Sequence, residues 1–159
     1  MKKLMFVLLA GLIVSQFASA TSIRNVRLMY REVPVVSPIP AQQLTSVVVY
    51  GDGDVMKFVC DSFTPRECDT QILGRFTAHQ IDRIDRLIDR ARHGKLVRIG
   101  GVAMCLVAPS TEDQYTADNG QVFLKQGHMC TLFTENSSLA AKRLVRILAN
   151  LRDGNLFVE

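Results

Sequence analysis

Apolar residues recur every three or four positions in two stretches of this chain, and every second position in several others. The first helical stretch is the clearest. Ile81, Ile84, Leu87, Ile88 and Ala91 form one stripe, and Thr77 with Gln80 three residues on makes a capping box. Gly94 follows as a stop signal. Between the apolar positions lie Asp82, Arg83, Asp85, Arg86, Asp89, Arg90 and Arg92, with Asp82–Arg86 and Asp89–Arg92 at ion-pair spacing. Acids cancel most of these arginines, so this side reads as a solvated face and not as a nucleic-acid recognition helix. A second helix is predicted to open at Ser137 or its neighbour Asn136. It would bury Ala140, Ala141, Leu144, Val145, Ile147, Leu148 and Leu151 and stop at Asp153-Gly154.

Strand patterns fill the space around these helices. Val26, Leu28 and Tyr30 alternate with Arg27, Met29 and Arg31, which suits a half-buried strand or a docked arm. Pro34, Pro38 and Pro40 then favour an extended connector. The β-rich runs 46–50 and 55–59 flank Gly51-Asp52-Gly53-Asp54 and predict a hairpin. Residues 95–99 and 102–107 are further strand candidates. A second hairpin is expected from 121–124 and 129–134 around 125–127. Asp118-Asn119-Gly120 supplies a tight turn that folds 114–117 back on 121–124.

The order strands, helix, strands, helix predicts an α+β fold, an antiparallel sheet of about five to seven strands with two amphipathic helices on one face. Two stretches are faintly alike, Tyr50 to Cys60 before one helix and Tyr115 to Cys130 before the other, which raises the alternative of a duplicated ββα unit.

Residues 1–20 stand apart. MKKLMFVLLAGLIVSQFASA joins two lysines to an apolar run and ends in Ala18-Ser19-Ala20, the pattern of a cleaved signal peptide. The expected organisation is therefore a leader over 1–20, an N-terminal arm and Pro-containing connector over 21–43, and a single α+β domain over 44–159. Lys2 and Lys3 close to the start suit bacterial export, and no cysteine follows the run to carry a lipid, so periplasm or medium is the expected destination. Cleavage removes two lysines from the 19 basic residues, leaving 17 against 15 acids, so the net charge falls from +4 to +2. Half of the basic bias that would suggest a nucleic-acid partner belongs to the leader, and no such partner is expected. The leader's apolar run falls short of the roughly 20 residues a spanning helix needs, and no transmembrane segment is expected in the mature chain. Four cysteines in an exported chain predict two disulfides, here Cys60–Cys68 across a short polar loop and Cys105–Cys130 between two apolar segments.

Candidate chemistry is thin. Met104-Cys105 and His128-Met129-Cys130 offer soft metal ligands, but strand alternation separates Met129 from His128 and Cys130, and a disulfide would consume both thiolates. His79 and His93 fall at the two ends of the first helix. Glu112, Asp113, Asp118 and Glu135 fall in polar segments, and no Gly-x-Ser-x-Gly elbow is present. Gly51-Asp52-Gly53-Asp54 begins like a calcium loop, but Val55-Met56-Lys57 does not complete it. Asn136-Ser137-Ser138 matches a glycosylation acceptor and is better read as a helix cap. Lys142, Arg143, Arg146 and Arg152 are the largest unbalanced charge cluster, either an anionic-partner face or the ordinary wet side of a helix. The expected function is a small exported, non-enzymatic domain that binds a protein or cell-envelope component, inhibitor-like and without a cofactor. The alternative is a small envelope enzyme or soft-metal carrier using His128 and the cysteines.

Overall fold

The computed structural model describes residues 24–34, 43–61, 68–100, 111–127 and 132–156. Helix α1 (Ala78–Ala91) starts where Thr77 Oγ1 accepts from the Gln80 N–H while the Gln80 side chain accepts from the Thr77 N–H, closing the expected capping box. Its buried residues are Ile81, Ile84, Leu87, Ile88 and Ala91, the stripe read from the spacing. Helix α2 (Leu139–Arg152) is capped by Ser138, whose hydroxyl accepts from the Ala141 N–H at 3.1 Å. The cap thus lies one or two residues later than expected, because Asn136 is drawn inward by other partners.

Eight strands form one sheet among the described residues: β1 (Val26–Pro34), β2 (Gln43–Tyr50), β3 (Asp54–Asp61), β4 (Cys68–Arg75), β5 (Leu96–Ile99), β6 (Thr111–Ala117), β7 (Val122–Gly127) and β8 (Phe133–Asn136). Their order is β4-β3-β2-β1-β6-β7-β8-β5 and neighbouring strands are antiparallel. The α+β class and the antiparallel sheet agree with the sequence, but the strand count exceeds the expected five to seven. Strand β4 is the main addition. It lies at an edge, where most of its side chains are exposed and no apolar alternation is required. Strand β1, placed in the lead-in arm by the sequence reading, is an inner strand paired to β2 and β6. Lys125, Gln126 and Gly127, expected to form a turn, are strand residues paired to Glu135, Thr134 and Phe133. Lys125 and Gln126 also pair with β6, so ladders on both sides outweigh their turn preference.

One core joins sheet and helices. Leu28, Tyr30, Val47, Val49, Val55, Tyr115, Ala117, Val122 and Leu124 from the strands pack with the apolar stripes of α1 and α2, so both helices cover the same face. Arg27 Nε lies 3.2 Å from Asp85 Oδ1, and Arg92 pairs with Asp118, which ties α1 to the sheet at two points. Burial pushes the Asp85 carboxyl upward, and the Arg27 charge offsets this only in part. Cys60 and Cys68 are directly paired residues of β3 and β4 joined by a disulfide. Cys105, Cys130 and the 102–107 strand candidate lie outside the described residues.

The two turns expected to need glycine do so for different reasons. Gly53 has φ +96°, and a Cβ there would stand 2.4 Å from the Phe76 carbonyl oxygen. Gly120 has φ +85° with nothing within 4 Å of a Cβ. Gly120→Val should therefore cost only the backbone strain, about 1–2 kcal/mol. Gly53→Val should cost clearly more, and denaturant unfolding of the two variants checks the ranking.

Candidate functional site

Strand alternation carries β1 past its last core residue, Tyr30, to Glu32, and carries β6 from Tyr115 back to Asp113. Register sets Tyr30 opposite Tyr115 and Glu32 opposite Asp113 on the helix side of the sheet. Tyr30 Oη donates to Asp113 Oδ1 at 2.9 Å and lies 3.3 Å from Glu32 Oε1. Glu32 Oε2 accepts from the Thr45 N–H at 2.7 Å. The two phenol rings are tilted against each other with centroids 5.1 Å apart. Arg152, the last residue of α2, closes the group. Its guanidinium stands 5.5 Å over the Tyr30 ring, 3.5 Å from Asp113 Oδ2 and 2.9 Å from Asp153 Oδ1.

Electrostatics fix what this cluster can do. Burial pushes the Tyr30 phenol upward, and its hydrogen bond to Asp113 pushes it further. Burial likewise pushes Tyr115 up to about 12, helped by the charge of Asp113. The hydrogen bond to Asp153 holds the Arg152 proton more firmly still, against the opposing effect of burial. Two protonated phenols and a fixed cation thus face two carboxylates that already have donors. The two phenols keep their protons and are not activated nucleophiles. It anchors the end of α2.

That anchoring separates Arg152 from the other three members of the sequence-predicted basic cluster. At about 100° per residue, Leu139, Lys142, Arg143 and Arg146 fall within a sector of about 100°, and Arg152 points away from it. Lys142, Arg143 and Arg146 are exposed. Lys142 Nζ lies 3.5 Å from Glu135 Oε1. Among the described residues, no acid is within ion-pair distance of Arg143 or Arg146. Leu139, in the same sector, is 67% exposed.

The far side of the sheet is a mixed surface. Met29, Val48, Met56 and Ile72 lie directly across four adjacent strands, followed by a more polar row of Arg31, Ser46, Phe58 and Thr70. Arg24 lies along it, 5.0 Å over the Tyr50 ring and 2.9 Å from Asp54 Oδ2. No group of three or more His, Cys, Asp or Glu side chains suited to a metal occurs among the described residues, and His128 is not one of them. No described helix is long and apolar enough to cross a membrane. Comparison with protein-family models, curated proteins and solved structures finds no match for this chain.

The Tyr30 cluster was missed in the sequence because its members are 83 residues apart in the chain. The only local signal is that Tyr30 and Glu32 share a strand face. The cluster makes a sign-definite forecast. Tyr115 ordinarily ionises near 10.0, so between that value and about 12 the unfolded chain loses its proton first. Stability should fall as pH rises through this window, and Tyr115→Phe should flatten the fall. Ultraviolet titration in which Tyr115 of the folded protein is already half ionised near pH 10, read as the difference from Tyr115→Phe, would contradict the assignment.

Proposed function

We propose that this chain is a small exported, non-enzymatic domain that binds a negatively charged protein or envelope component through the solvent side of α2. The observation that supports this most is the confinement of Lys142, Arg143 and Arg146 to one sector of a helix with no acid in its sequence. Helix α1 has three outward arginines as well, but Asp82, Asp85 and Asp89 match Arg83, Arg86 and Arg90 in number. The positive end of the α2 dipole lies at Leu139, close to Lys142 and Arg143, so helix and side-chain fields add instead of cancelling. The leader-like first twenty residues and the Cys60–Cys68 disulfide support an oxidising destination outside the cytoplasm.

Retention on phosphocellulose tests this reading. Arg143→Ser with Arg146→Ser should elute at distinctly lower salt than the unaltered protein. Arg83→Ser with Arg86→Ser removes the same net charge from α1 and should shift elution far less. Equal shifts would mean that retention follows net charge alone and that α2 presents no face.

A further inference from the structure

We infer that the partner of the α2 face is an anionic lipid surface, an inference that rests on the reading of α2 as the binding face and adds the class of its partner. The added observation is Leu139. It is the first residue of the helix and 67% exposed, although it is one of the most efficient residues at leaving water. It stands one turn before Lys142 and Arg143 and two turns before Arg146, on the same side of the helix. An apolar tip followed on the same helix side by long cationic side chains matches the layering of a lipid interface, where acyl chains lie just beneath phosphates. Lysine and arginine stems lie along the apolar zone while their charged ends stay at the phosphates. A soluble polyanion without an apolar part would use the cations and leave Leu139 in water.

The rest of α2 permits this approach. Its opposite side, with Ala140, Ala141, Leu144, Ile147, Leu148 and Leu151, is locked into the core, so the outward sector is presented without unfolding. Arg152 is held at Asp113 and Asp153 and takes no part. Lys142 contributes less than its neighbours, because Glu135 already attends it.

Co-sedimentation with vesicles of equal parts phosphatidylglycerol and phosphatidylcholine tests the inference, with pure phosphatidylcholine vesicles as the reference. The protein should sediment with the anionic vesicles and not with the neutral ones, and added salt should weaken the association. Arg143→Ser with Arg146→Ser should lose roughly 25-fold in affinity, about five-fold for each charge. Leu139→Ser should lose roughly ten-fold on vesicles while eluting from phosphocellulose unchanged. Thermal melting confirms that each variant is folded. Retention on phosphocellulose without vesicle binding would leave the basic-face reading standing and overturn the lipid assignment. So would equal vesicle binding by Leu139→Ser and the unaltered protein, or equal binding to neutral vesicles.

Discussion

The side-chain amide of Asn136 sits where both helices meet the sheet, and it is only 3% exposed. Its Nδ2 donates to the carbonyl of Ala91, the last residue of α1, at 2.8 Å, and lies 3.3 Å from the carbonyl of Phe123 in β7. Its Oδ1 accepts from the Ser138 N–H at 3.1 Å, just ahead of α2. One buried amide thus satisfies the end of one helix, the approach to the next and an inner strand. The Ala91 carbonyl also accepts from the Gly94 N–H at 3.0 Å, so the amide is its second donor and ties the turn after α1 to the start of α2. Gly94 is part of the same arrangement, since a Cβ there would stand 1.8 Å from Asn136 Oδ1. Absence of a side chain at position 94 is what lets the amide lie there.

From this junction the direction of α2 follows. It leaves Ser138 with its apolar side on the sheet and ends at Arg152, which Asp113, Asp153 and the Tyr30 ring hold in place. The burial of Ala140, Ala141, Leu144, Ile147, Leu148 and Leu151 in the core sets the roll of the helix, so its outward sector is set as well. The binding proposal depends on this. Arg143, Arg146 and Leu139 project outward because other residues of the same helix have inward partners.

Periodicity made the two helices readable because an amphipathic stripe in sequence is the buried face itself, as Ile81, Ile84, Leu87, Ile88 and Ala91 show. Local chemistry did the same for the Thr77–Gln80 cap and for the turn at Gly53, where the residue types act on their immediate neighbours. What could not be read depends on distant pairing. Edge strand β4 needs only β3 beside it and carries no pattern of its own. Asn136 looked like a helix cap or a glycosylation acceptor, and its partners Ala91 and Phe123 become neighbours only after folding. The basic residues of α2 were visible as a group, but the separation of Arg152 from the rest depends on Asp113, brought near by the pairing of β1 with β6.

The most direct test of this account is the unfolding free energy of Asn136→Asp, coupled to hydrogen exchange. The substitution keeps the size of the side chain and replaces its donor with a buried acceptor that faces two carbonyl oxygens. It should cost about 3 kcal/mol or more. Exchange should accelerate together in the last turn of α1 and the first turn of α2. Stability within about 0.5 kcal/mol of the unaltered protein, or faster exchange in one helix alone, would contradict the claim that this amide holds both helices to the sheet.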